Sequence, residues 1–362
     1  MAFNDEKARR SILEACKKLC DLGLVERTWG NISAKLDDEY FLITPSGISY
    51  DTLTKNELVK VRIDDLTYAG NTLPSSEKGV HAAIYRAKPS VNFIVHTHQN
   101  AATVCSISGN DLNTADFDAL GDITPCAKYA LPSSKELMES VFEAVARENG
   151  CNAVLMRNHG VVCFGESDIE CFNAALALED VCVEILSRVP VTLQLAAPMG
   201  SSMRLNDTFT LTDCADEGTY IIDEFSSSAT VNTHREMYRT TNAACIIHCA
   251  SPVIINASSR FESIPAYVDD FAQIIGENIL CADNAEIIGN KTVGRSGVLL
   301  KNAGALCYGT SFDDCRAAAS ILEKNCLAAL YAQSLECSSA LSEEDSRYLR
   351  EFYVSTYAKR KR

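Results

Sequence analysis

Apolar and polar positions along this chain change period many times, and each change marks an element. Between residues 5 and 23, Ile12, Cys16, Leu19, Cys20 and Leu22 lie near helical spacing on one stripe, which predicts an amphipathic helix closed by Gly23. Strand-like runs follow at Ile32 to Leu36, Tyr40 to Thr44 and the alternating Leu58 to Ile63. They are separated by the turns Asp37-Asp38-Glu39 and Pro45-Ser46-Gly47. Gly79 to Arg86 is helix-periodic again, with Ser75 or Ser76 as its natural N-cap and Glu77 in its first turn. The apolar run Phe93-Ile94-Val95 then ends in His96-Thr97-His98. Beyond it the pattern predicts a helix from Lys135 to Arg147, strands at Ala153 to Met156 and Val161 to Phe164, and a long helix from Ser167 to about Arg188.

Val189-Pro190-Val191 and Pro198-Met199-Gly200-Ser201-Ser202 read as a passage between two domains, residues 1–195 and 205–362. Past it the chain repeats itself. Asn158, Gly160, Cys163, Phe164, Gly165, Ser167 and Cys171 recur at identical spacing as Asn302, Gly304, Cys307, Tyr308, Gly309, Ser311 and Cys315. His81, Tyr85 and Arg86 recur as His234, Tyr238 and Arg239, and Ile94-Val95-His96 as Ile246-Ile247-His248. The second copy carries Ala250 in place of His98, Ala303 in place of His159 and Thr230 in place of Glu77. It reads as a structural relative of the first copy, without its chemistry.

The chain has 362 residues, 47% hydrophobic and 22% charged, a soluble globular balance with material for two cores. No segment reaches a membrane-spanning apolar length, and the charged N-terminus lacks the apolar core of a secretory signal. A net charge of −15 argues against nucleic acid as a partner, and the basic end Lys359-Arg360-Lys361-Arg362 is too short to reverse that. The sixteen cysteines do not resemble a disulfide scaffold. Cys16, Cys20, Cys105, Cys163, Cys171 and Cys182 sit in apolar-patterned segments and no Cys-x-x-Cys occurs, which points to buried thiols in a reducing, cytoplasmic compartment.

Candidate chemistry concentrates in the first copy. Alternate side chains of a strand share a face, so His96 and His98 form half of a tetrahedral metal site. His159 sits at another strand end beside Gly160, where a third ligand is needed. Glu77, at a helix N-terminus, is a carboxylate that can face such a metal and take a proton. His81, one turn further along, reads as a packing histidine or one supporting the site from behind.

Six short motifs in order, Gly30-Asn31-x-Ser33, Thr44-Pro45-Ser46-Gly47, Pro74-Ser75-Ser76-Glu77, His96-Thr97-His98, Pro125-Cys126-Ala127-Lys128-Tyr129-Ala130 and Asn158-His159-Gly160, resemble the class II aldolase and adducin family, in particular its fuculose-phosphate aldolase type. The resemblance covers residues 5 to 190 well and 205 to 335 weakly. It implies an α/β fold, a mixed β-sheet with helices on both sides, which the repeat gives in two tandem copies, a departure from the family's usual single-domain form. It also implies that His96, His98 and His159 bind a divalent metal, usually Zn2+, with Mn2+ or Co2+ as alternatives. Gly30, Asn31, Ser46, Gly47, Ser75 and Ser76 would cradle a substrate phosphate, Glu77 would be the acid/base, and Tyr129 a second proton donor. The implied reaction is cleavage of a phosphorylated sugar, a ketose 1-phosphate, to dihydroxyacetone phosphate and an aldehyde through a metal-stabilised enediolate.

Rival readings are a sugar-phosphate epimerase or dehydratase on the same scaffold and a non-catalytic, adducin-like interaction protein. The pentulose-phosphate 4-epimerases of the family carry Asp where Glu77 stands, and the intact histidine set argues against the non-catalytic form for the first copy. A homo-oligomer is implied, with residues 205–362 standing in for a neighbouring subunit. Phe352, Tyr353 and Tyr357 are candidates to reach an active site.

Overall fold

The computed structural model describes residues 4–25, 29–283, 288–336 and 339–357. Thr28, before the first glycine motif, and the basic end Lys359–Arg362 lie outside the described residues, as does the side chain of Tyr357. The chain divides into two compact units, Met1–Arg188 and Val189–Arg362.

In the first unit α1 (Asp5–Asp21) precedes β1 (Gly30–Lys35), β2 (Tyr40–Ile43) and β3 (Val59–Arg62), an antiparallel meander. Then come α2 (Lys78–Ala87), β4 (Phe93–Thr97) and α3 (Asn100–Ser106), with the small pair β5 (Leu112–Asn113) and β6 (Ile123–Thr124). The unit closes with β7 (Cys126–Ala127), α4 (Lys135–Arg147), β8 (Ala153–Met156), β9 (Gly160–Gly165) and α5 (Asp168–Leu186). The seven-stranded sheet has the order β3-β2-β1-β4-β9-β8-β7 and is mixed, because β7 and β8 run parallel.

One face of this sheet is covered by α2 and α4, whose Val80, Ile84, Leu137 and Val141 pack with Phe41, Ile94, Val154 and Phe164. The other face is covered by α1, α3 and α5. α5 buries one stripe against the sheet, where Cys171, Ala174, Ala175, Leu178 and Cys182 are fully buried, while Ile169 and Val183 on its other side are exposed. Its cap is the expected one, with the Ser167 hydroxyl accepting from the Glu170 N–H; Ser167→Ala should cost about 1 kcal/mol in a denaturant melt.

The second unit repeats the plan. It comprises β10 (Met199–Leu205), β11 (Thr208–Cys214), β12 (Gly218–Ile221), α6 (Ala229–Thr240), β13 (Cys245–Cys249), α7 (Pro252–Arg260) and β14 (Ser263–Pro265). α8 (Asp269–Ile274), β15 (Asn278–Ala282), α9 (Ile288–Thr292), β16 (Gly297–Leu300), β17 (Gly304–Gly309), α10 (Phe312–Ser334) and α11 (Glu343–Phe352) complete it. Its sheet order, β12-β11-β10-β13-β17-β16-β15-β14, matches the first strand for strand, with β14 added at the edge. Phe352 is partly exposed and stacks on Tyr348, and Tyr353 begins a π-helical turn.

One expectation is corrected here. Pro198–Ser202 is not a passage, because Met199 opens β10 and Ser201, Ser202 and Met203 pair with Ile247, Ile246 and Cys245. Its Gly-Ser-Ser stretch has no strand signature of its own; neighbours on both sides supply the ladder.

Each unit buries one histidine at the same place. Burial lowers His81 to about 3 and His234 to about 4. An unfolded histidine titrates near 6.5. Below that pH the unfolded chain therefore takes protons that the folded chain refuses. This contribution to stability is complete above about pH 6.5 and is lost as pH falls towards 4. The melting temperature should drop between pH 7 and 5, with a shallower drop in His234→Gln.

Candidate active site

β4 occupies the middle of the first sheet, and its C-terminal end organises the site. His96 pairs with Asn31 of β1 on one side and Val162 of β9 on the other. Both neighbours approach through glycine. A Cβ on Gly30 (φ +150) would lie 2.6 Å from the His96 carbonyl oxygen. One on Gly160 would lie 2.6 Å from the Thr97 carbonyl oxygen and 3.2 Å from the rings of His96 and His98.

His98 follows the strand directly. Its neighbour Gln99 occupies the N-cap position of α3, and the two carboxylate oxygens of Glu179, on α5, accept from the Ala101 and Ala102 N–H groups in the first turn of α3, at 2.8 and 3.0 Å. The sequence reading did not single out Glu179; its recurrence as Glu323 was visible, but not its target. Glu179→Ala should lose roughly 1.5–3 kcal/mol of stability, measured by denaturant melts, and loosen His98. His159 is aimed by a tight turn in which its N–H donates to Met156 O at 3.0 Å with Asn158 left-handed at φ 60.

The three imidazoles converge, with ligand nitrogens all within 4.8 Å of one another. The His98 and His96 Nε2 atoms are 3.0 Å apart, and His96 and His159 are buried. His96 donates from Nδ1 to the Val161 carbonyl at 2.8 Å, which turns its Nε2 lone pair towards the shared point. Nitrogen lone pairs gathered this closely repel unless a cation lies among them. The donor set therefore fits a divalent metal, and His98, only half-buried, faces the open side.

Glu77 stands against this cluster. Its Oε2 is 3.0 Å from His96 Nε2 and its Oε1 is 3.0 Å from His159 Nε2. Burial alone would push its carboxyl up, but in the metal-free chain charge on the His96 and His159 imidazoles outweighs this and holds it well below the usual range, and a cation bound to those nitrogens would act in the same direction.

The helix start departs from expectation. Neither Ser75 nor Ser76 is the N-cap of α2; Glu77 itself holds that position and makes no capping bond with its side chain. Ser75 is two residues further out, its hydroxyl accepting from the Glu77 N–H at 3.2 Å. In the second unit the matching Ser228 does cap its helix, accepting from Val231 N–H. The first-unit helix thus begins two residues later in register, which frees Glu77 to turn to the histidines.

The Ser46–Gly47 and Ser75–Ser76 segments lie side by side. Ser46 N–H donates to Leu73 O at 2.9 Å and Ser75 N–H to Thr44 O at 3.0 Å, joined by a Pro45–Pro74 bridge. Ser75 is buried, while Ser76 and Gly47 are exposed. Asn31 is committed differently from the sequence expectation: its amide bridges His81 and Glu77, leaving one N–H for a ligand. Tyr129, half-buried, lies two residues past β7, whose parallel pairing with β8 puts it at the His159 end of the sheet.

The second unit closes the equivalent space with backbone. His248 Nδ1 accepts from Met199 N–H at 3.1 Å and its Nε2 donates to Ala303 O at 2.8 Å. Both ring nitrogens are used, so no lone pair is left for a metal.

The sequence pattern of the family described as Class II Aldolase and Adducin N-terminal domain matches residues 10–186 and again residues 197–330. The chain belongs to this family, in two tandem copies. It is 36% identical over 159 residues to the L-fuculose phosphate aldolase of Escherichia coli K12, covering 43% of this chain and 72% of that protein. It is 30% identical over 192 residues to the L-ribulose-5-phosphate 4-epimerase UlaF of Salmonella paratyphi B, covering 49% of this chain and 82% of that one. Among solved structures, an L-fuculose 1-phosphate aldolase covers 52% of this chain and 90% of its own at 27% identity and a TM-score of 0.46. No helix among the described residues is long and apolar enough to cross a membrane, and the described cysteines are free thiols.

Proposed function

We propose that the first unit, Met1–Arg188, is a metal-dependent aldolase that cleaves a ketose 1-phosphate to dihydroxyacetone phosphate and an aldehyde, and that the second unit, Val189–Arg362, is a non-catalytic companion. The observation that carries this reading is Glu77, a buried carboxylate within 3.0 Å of two of three converging imidazoles and next to a serine-bearing loop pair.

His96, His98 and His159 would hold the metal, zinc by preference for imidazole nitrogen, and it would supply Lewis-acid stabilisation of negative charge on adjacent carbonyl and hydroxyl oxygens. The residues do the rest. Ser46, Gly47, Ser75 and Ser76, with the remaining Asn31 N–H, anchor the phosphate and fix the reacting carbons relative to Glu77. As the carbon–carbon bond breaks, the hydroxyl that becomes the aldehyde loses a proton and the carbon left behind gains one. Glu77 moves the proton at that carbon. Tyr129 hydrogen-bonds the oxygen that becomes the aldehyde and relays the proton this oxygen loses to solvent.

The similarity to an L-ribulose-5-phosphate 4-epimerase supports a second reading on the same site, pentulose-phosphate epimerisation. Glu77, in place of Asp, favours cleavage. A screen of ketose 1-phosphates with and without added zinc separates the two: release of dihydroxyacetone phosphate supports the aldolase, and formation of a pentulose epimer without fragments replaces it. A cytoplasmic homo-oligomer is the expected form, read out by sedimentation.

A further inference from the structure

Behind Glu77 runs a buried chain of side chains with one consistent direction. Asn31 Nδ2 donates to Glu77 Oε2 at 3.0 Å, and Asn31 Oδ1 faces His81 Nε2 in a short contact. His81 Nδ1 faces Ser33 Oγ at 2.6 Å, and Ser33 Oγ meets the Tyr85 hydroxyl at 2.7 Å. Ser33 and His81 are fully buried, and Asn31 and Tyr85 nearly so. An amide oxygen can only accept, so His81 must carry its proton on Nε2. Its Nδ1 then accepts from Ser33, whose oxygen accepts from Tyr85. Burial keeps His81 neutral, as this pattern requires.

The second unit supplies an internal comparison. Ser202, His234 and Tyr238 repeat the triangle, at 2.7 and 2.9 Å. There His234 Nε2 meets a backbone carbonyl, Met199 O, at 2.8 Å, which fixes the same tautomer independently. The register of β10 on β13 puts Gly200 where the first unit has Asn31, and Thr230 stands for Glu77. The triangle alone is therefore a feature of the fold. What the first unit adds is the Asn31 amide between the triangle and the carboxylate.

We propose that His81 is a positioning residue for Glu77: its Nε2–H holds the Asn31 amide in the one orientation that donates to the carboxylate, and the Ser33–Tyr85 pair holds His81 in the tautomer that can do so. The inference rests on the acid/base reading of Glu77 for its kinetic part only. Were the amide to turn over, its oxygen would face an ionised carboxylate and push it from the histidines.

His81→Leu should lower kcat by roughly ten- to a hundredfold, the usual weight of such supporting partners, with KM changed far less. His81→Gln, which can return an amide donor towards Asn31, should recover most of the loss. His234→Leu removes the same buried contacts from the second unit and should cost similar thermal stability with unchanged turnover. Equal loss of turnover in both Leu variants, or no rescue by Gln, overturns the proposal. A readout independent of activity is the side-chain amide pair of Asn31 in asparagine-labelled, metal-free protein, assigned through Asn31→Asp. Its resonances should be protected from solvent exchange in the native chain and lose protection in His81→Leu. Unaltered protection refutes the positioning role whatever the substrate proves to be. Lost protection in a protein inactive on every ketose 1-phosphate refutes the aldolase reading alone. If His81→Leu does not fold, Tyr85→Phe, which removes only the first proton of the chain, should shift the same amide pair, and no shift overturns the proposal.

Discussion

Glu77→Gln should leave the metal site occupied and lower turnover by about two to four orders of magnitude, the usual weight of a positioned acid/base. The substitution keeps the shape of the side chain and an oxygen that accepts from Asn31 Nδ2. It removes the charge and the capacity to carry a proton. None of the three imidazoles is altered, so metal content measured by elemental analysis should stay near the native value. Dihydroxyacetone phosphate release under saturating substrate checks the catalytic half. Turnover within a few-fold of native would remove Glu77 from the reaction and leave the carboxylate with only an electrostatic role beside His96 and His159. Loss of metal together with activity would instead make Glu77 chiefly a ligand.

Much of this site was legible in the sequence because its parts have strong local signals. His96-Thr97-His98 ends an apolar run, and Asn158-His159-Gly160 sits between two such runs; the structure brings all three rings within one cluster. The repeat was equally plain and reappears as matching strand orders. What the sequence hid was register and tertiary partnership. Ser75 has every local feature of an N-cap, yet the helix begins at Lys78, because Glu77 gains more from facing two imidazoles than from lying in a first turn. Met199–Leu205 has weak strand propensity and is a strand because β11 and β13 flank it. Asn31 was readable as an anion-binding residue but not as a bridge, since His81 and Glu77 are about fifty residues away in sequence. Such long-range polar contacts leave no periodic trace.

The metal prediction follows from the contrast between the two units. The protein should carry about one divalent ion per chain, and His96→Ala or His159→Ala should abolish its retention through dialysis, whereas His248→Ala should not. The three first-unit nitrogens point at one another, with His96 locked by Val161 O so that Nε2 is the free donor. His248 keeps the position of His96 but the opposite arrangement: one nitrogen accepts from Met199 N–H and the other donates to Ala303 O. Alanine has replaced both other ligands, so even a freed His248 would offer a single nitrogen, far short of a site that competes with water for a divalent ion. Because the ligands must lose their protons to bind, retention should also weaken as pH falls through the histidine range. Elemental analysis giving two ions per chain, or unchanged metal in His96→Ala, would show that the cluster at the end of β4 is not the metal centre.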